Sequence, residues 1–152
     1  MKQDENTFSF DNAEDSSGFI LWQVTNLWQR EIKKALEQYD LTHSQFVLLA
    51  SIHWLTLQNK SVTQVLLSGH TKIDPMTTST VLRTLQAKGL LKRQEHLTDT
   101  RAKTVILTDA GKQVIKQAVI TVEDFDKRFF LSLGDDAKVF NKKLLGLLDY
   151  RG

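Results

Sequence analysis

The chain has 152 residues, 41% of them hydrophobic and 25% charged, and a formal charge of +2. That is enough for one domain with a core of its own, and the absence of cysteine removes disulfides, thiolate metal sites, cysteine nucleophiles and thiol-based redox sensing. No apolar run is long enough to span a bilayer and the N-terminus carries no signal-peptide pattern, so the expected location is the cytoplasm.

The charge is unevenly spread. Residues 1–15 set Lys2 against Asp4, Glu5, Asp11, Glu14 and Asp15, a net of −4 that marks them off as a polar acidic arm. Residues 16–152 read as a single domain carrying the balancing positive charge. From Ser16 the pattern turns helical, with Ser17 as candidate N-cap. Ile20, Val24, Leu27, Trp28, Ile32, Ala35, Leu36 and Tyr39 recur at helical spacing. Phe19, Leu21 and Trp22 widen the apolar sector at its start beyond what one packing partner needs, which points to a second chain.

Asp40-Leu41 breaks this helix. Thr42-His43-Ser44-Gln45 then spells a capping box, followed by an apolar stretch from Phe46 to Leu57 that includes Trp54 and should be mostly core. After a polar loop, Ser61 to Gln64 predicts a second capping box and a short helix that Gly69 ends. Asp74 caps the next helix and Pro75, the only proline, sits in its first turn, where a missing N–H costs nothing. Two short helices joined by a tight turn form a helix-turn-helix. In the second, Met76, Val81, Leu82 and Leu85 are the expected buried positions, leaving Thr77, Thr78, Ser79, Thr80, Arg83 and Thr84 mostly outside. So many hydroxyl residues suit a helix poorly by propensity. They suit one whose first turns meet phosphate oxygens and base edges.

Leu90–His96 and Ala102–Leu107 alternate as strands, with Val105 and Leu107 on the face of Lys103 and Ile106 on the other. Such a hairpin directly after a recognition helix is a wing. Arg101 in its connecting loop could enter a minor groove, and Asp99 is better placed as a brace than as a DNA contact. Between Arg83 and Lys103 six basic residues face two acidic ones, the footprint of a nucleic-acid surface, although charge alone does not separate that from a solvated face. Thr108 caps a helix running to about Leu131, and a final helix spans Asp136 to Tyr150. The longer of the two would reach about 35 Å, more than a small winged domain needs for itself. Apolar content is thus concentrated at the two ends of the chain, as in a dimer built around two DNA-reading heads.

Three stretches in order carry a family resemblance: LTHSQFVLLASI, TSTVLRTLQAKGLLKR and DTRAKTVILTDAG. They are similar to the helix start, the recognition helix with its exit, and the wing of the MarR family of bacterial winged-helix transcription regulators, and the resemblance covers residues 17–150. It implies a mainly α fold with a small β-hairpin wing. The winged helix-turn-helix would span about 42–108, flanked by dimerisation helices at about 17–39 and 108–150. It also implies a homodimer on the double-stranded DNA of a palindromic operator, usually as a repressor. Arg101 falls on the family's wing arginine, Asp99 on its partner acid, and Thr77 to Arg83, with Lys103 in the wing, on the DNA-reading surface. Many members respond to small aromatic or anionic effectors held between dimer helices and winged domain, where Trp22, His43 and Trp54 would lie. The start Asp74-Pro75-Met76 and the threonine run depart from the common pattern, so the operator read here should differ.

No cofactor is expected. His43, His53, His70 and His96 lack metal-ligand spacing. There is no Gly-rich phosphate loop, nucleophile motif or carboxylate pair, so an enzyme is not expected. The competing readings are a winged-helix module that docks on an acidic protein and a constitutive DNA-binding regulator without an inducer.

Overall fold

The computed structural model describes residues 7–95 and 103–152. Helix α1 is Ser17–Leu36, α2 is His43–Leu57, α3 is Gln64–Thr71 and α4 is Pro75–Ala87. Strand β1 (Leu91–Glu95) pairs antiparallel with β2 (Lys103–Leu107), and α5 (Asp109–Phe129) and α6 (Ala137–Leu148) close the chain. In the hairpin Leu91 stands opposite Leu107 and Arg93 opposite Val105. Among the described residues no helix is long and apolar enough to cross a membrane.

Side-chain caps start most of these helices. Ser16, one residue before the expected cap, accepts from the Phe19 amide at 3.3 Å. The capping box at Thr42 and Gln45 forms in both directions, each bond 3.1 Å long. The start of α3 differs from expectation. Thr63, not Ser61, is its cap. The reason is tertiary: the Val105 amide donates to Val62 O at 2.8 Å and Thr63 bridges Thr104, which draws the residues before α3 against the edge of the hairpin. Nor does Gly69 end that helix; it continues to Thr71, with left-handed Lys72 as its C-cap.

Helix α4 ends in a Schellman arrangement. Gly89, at φ +76, lets its own amide donate to Gln86 O at 2.9 Å while Leu90 N donates to Leu85 O at 3.0 Å. The chain then enters β1 directly, so the recognition helix and the wing are joined without slack. The start of α5 closes on the same place. Thr108 N donates to Leu90 O, and a Cβ on buried Gly111 would lie 2.0 Å from that same oxygen.

One core serves α1–α5 and the hairpin. Ile32 and Leu36 of α1, Leu48 and Ile52 of α2, Leu82 of α4 and Ile115 of α5 are fully buried in it. Trp54, expected in the core, is 56% exposed. Trp28 Nε1 of α1 donates to Asp126 Oδ1 at 2.9 Å, and the hydroxyl of Tyr39, in the turn after α1, bonds with Thr121 Oγ1, so two polar links join α1 and the turn that follows it to α5. The ends of the molecule behave differently. The N-terminal half of α1 and all of α6 have no buried residue. Phe125, Phe129, Phe130 and Phe140 form a chain of ring contacts that carries α5 into α6.

Candidate nucleic-acid interface

The register of α4 decides what this helix can offer. Its buried positions are Thr78, Leu82 and Leu85, one helical face. That face corrects two expectations. Thr78 is fully buried, and its hydroxyl donates to Asp74 O at 2.8 Å. Its proton is satisfied inside the helix and its side chain is unavailable to a ligand. Met76, expected inside, is 81% exposed because it lies on the opposite side of the helix from Thr78.

The rest of the expected surface is outward. Thr77, Thr80 and Arg83 are exposed and Ser79 is half-buried. The first turn is held firmly. Asp74 Oδ1 accepts from the Thr77 amide at 2.8 Å, and that hydrogen bond holds the carboxyl below its ordinary pKa. From α3, Gln64 Nε2 donates to Pro75 O at 3.4 Å.

Two basic side chains not expected at the site hold α4 in place. Arg93 of β1 donates from Nη2 to Ser79 O at 3.0 Å, tying wing to recognition helix. Its Nε is buried with no hydrogen-bond partner among the described residues. Burial first, and the charge of Arg83 second, push the guanidinium below its usual pKa. At the other end Lys88 Nζ donates to Asp40 O and, at 3.3 Å, to Gln45 Oε1, with the Asp40 carboxylate 3.5 Å away. The sequence signal for Arg93 is its place in the "GLLKR" exit from the helix; Lys88 has no such signal, because its partners are more than forty residues away in the chain.

Lys103 is exposed on β2, beside buried Val105 and Leu107. Asp99 and Arg101, expected as brace and minor-groove residue, lie outside the described residues, as does His96. Among the described residues no three of His, Asp or Glu gather as metal ligands would.

The three residues expected at an effector crevice are not brought together. A cavity of about 610 Å³ opens where α1, α2 and the end of α4 meet, lined by Lys33, Asp40, His43, Gln45 and Lys88 among others, but by neither Trp22 nor Trp54. His43 stacks edge-on against Trp28, ring centroids 5.0 Å apart. Burial lowers its pKa, and Asp126 opposes that shift. Trp22 and Trp54 are 66% and 56% exposed.

This geometry has close parallels among known proteins. Residues 37–125 match the family model of the ArnR1-like winged-helix domain. A protein of Bacillus subtilis (strain 168), described as the uncharacterized HTH-type transcriptional regulator YdcH, is 40% identical over 121 residues, covering 80% of this chain and 82% of its own. The fold is similar to that of MepR from S. aureus in its complex with DNA, with TM-score 0.79, 20% identity and coverage of 90% and 96%. It is also similar to a cysteine-to-serine mutant of MarR from E. coli complexed with operator DNA, with TM-score 0.75, 25% identity and coverage of 88% and 93%. With its capped α3–α4 pair, its hairpin wing and these relatives, the chain belongs to the MarR family of winged helix-turn-helix transcription regulators and is a DNA-binding regulator.

Proposed function

We propose that the protein binds a palindromic operator as a homodimer, with α4 in the major groove and the wing over the neighbouring minor groove, and that it acts as a ligand-responsive repressor. The observation that carries this reading is the outward face of α4. Thr77, Thr80 and Arg83 are exposed on a helix locked to the wing by the Arg93–Ser79 hydrogen bond. In this reading Ser79 and Lys103 contact the backbone at the edges, Arg101 reaches into the minor groove and Asp99 braces it. Solved structures of the same fold in complexes with DNA support the DNA-binding reading.

Two copies are supported by the uncovered apolar surface at the ends. Leu21, Trp22 and Leu27 of α1 and Leu145, Leu147 and Leu148 of α6 are all exposed in the single chain. Exposed apolar surface on this scale marks an interface. A twofold pair of heads reads half-sites about 10 bp apart, one helical turn.

Ligand response is supported by the cavity beside His43. Lys33 and Lys88 line it together with Glu37 and Asp40, and Lys88 also holds the end of α4, so an anion there competes with Asp40 for the group that fixes the recognition helix. Benzoate, a small aromatic anion, is a suitable probe: it should raise the melting temperature and weaken DNA binding together.

Selection of duplexes from a random pool tests the main reading. A twofold-symmetric sequence should emerge, its affinity should fall steeply with salt, and Arg101→Ala should cost about 1–3 kcal/mol of binding. Binding that ignores salt and survives Arg101→Ala unchanged would favour docking on an acidic protein instead.

A further inference from the structure

Met76, Thr80 and Thr84 follow one another at four-residue spacing, so they form a single line along α4, and all three are exposed. The two threonines face outward with their hydroxyl protons already committed. Thr80 Oγ1 donates to Met76 O at 3.1 Å, and Thr84 Oγ1 donates to Thr80 O at 3.2 Å. A hydroxyl has one proton, so neither side chain can donate to a purine N7 or to guanine O6 without giving up its bond to the helix. What remains to offer is a γ-methyl group and oxygen lone pairs. Ahead of them stands the whole Met76 side chain, 81% exposed on a turn fixed by Pro75 and the Asp74 cap. The line therefore presents a thioether side chain, two methyl groups and acceptor oxygens, but no free hydroxyl donor.

Methyl and thioether groups with no free donor between them, in basic surroundings, fit one feature of duplex DNA. The C5-methyl of thymine is the apolar group that base pairs expose in the major groove. Arg83, exposed on the same side of α4 three residues beyond Thr80, supplies positive charge next to the line, which suits a nucleic acid and not an apolar protein face. We propose that α4 reads thymine methyl groups through Met76, Thr80 and Thr84, so that thymine is selected at the half-site positions facing them. This rests on the DNA-binding reading above and names what that site recognises.

The test uses the full-length protein and the duplex selected from the random pool. Each thymidine of a half-site is replaced in turn by 2′-deoxyuridine, which keeps the base pair and removes only the methyl group. Affinity should fall about fourfold at each position where a methyl is buried against the line. Thr80→Ser and Thr84→Ser remove a methyl and keep the hydroxyl. Each should reproduce the loss on the thymidine duplex and become indifferent to uridine at its own position. Met76→Ala should behave likewise at its position, and Met76→Leu should restore discrimination. An exposed site makes these changes tolerable to the fold, and circular dichroism and melting confirm folded variants. Two results overturn the proposal while leaving sequence-specific DNA binding intact: uridine tolerated at every position, or uridine losses that persist unchanged in the Ser and Ala variants. A protein that selects no duplex overturns the DNA reading and this inference with it.

Discussion

The winged head and the end helices solve the burial problem in opposite ways. In the head, α2 to α4 and the hairpin close over Leu48, Leu49, Ile52, Leu67, Leu82 and Leu85. At the ends, α6 buries nothing, and Val139, Leu145, Leu147 and Leu148 are all more than half exposed. α1 is divided between the two regimes: Ile32 and Leu36 belong to the head's core, while Phe19 to Leu27 extend from it uncovered. One region is complete as a single chain. The other acquires a core only by association, which is how the proposed dimer would couple folding of the ends to placement of the heads.

The sharpest way to break the head is at Gly111. A methyl group there would meet Leu90 O at 2.0 Å, where α5 crosses the start of β1. Gly111→Ala should cost about 4 kcal/mol or more, read as a lowered urea midpoint and loss of DNA binding together. Full stability in that variant would mean that α5 and β1 are not pressed together as described. The ends should respond in the reverse sense. Leu145→Lys with Leu148→Lys leaves the head's core untouched, so a folded winged domain should persist. Sedimentation should show the dimer weakened about 100-fold, ~3 kcal/mol. An unchanged dimer would place the interface elsewhere.

Arg93 probes the joint between head surface and wing. Arg93→Met removes the bond to Ser79 O but no exposed charge that faces a phosphate directly. DNA affinity should fall by about 1.5 kcal/mol, the worth of a hydrogen bond from a charged donor, while the salt slope stays near that of the parent. A slope reduced by about one would instead make Arg93 a phosphate contact. The smallest effect is expected at His43, where α1, α2 and α5 meet. Its folded-state pKa lies below the ordinary 6.5, because burial outweighs the attraction of Asp126. Folding therefore favours the neutral ring. That stability is complete above about pH 6.5 and is lost progressively as pH falls below it. The melting temperature should drop between about pH 7.5 and 5.5, and His43→Gln should flatten the drop.

Much of the head could be read locally, because its signals are local. The capping box at Thr42–Gln45, the Asp74 cap, the proline in the first turn of α4 and the glycine after it all depend on residues within a turn of each other. The positions that escaped are those set from a distance. α3 starts at Thr63 because β2 takes up Val62. Thr78 lies inside because its hydroxyl can be satisfied by Asp74 O, so a polar residue fills a core position at little cost, and Met76 is turned outward as a result. Periodicity weighs residue types and misses such an internally satisfied threonine. Lys88 was hidden altogether and Arg93 showed only as part of the exit from α4, since what gives each a role is a carbonyl on another element.

By itself, then, the sequence determined the order of helices and strands, the caps of α2, α4 and α5, the basic character of the stretch from Arg83 to Lys103 and the excess of apolar surface at both ends. Those properties follow from hydrogen bonds and spacing within a few residues, or from composition. Only the tertiary structure decided which face of α4 looks outward, because that depends on the core against which Leu82 and Leu85 pack. The same packing left Met76, Thr80 and Thr84 in one outward line, on which the helix's own carbonyls hold the hydroxyl protons of the two threonines.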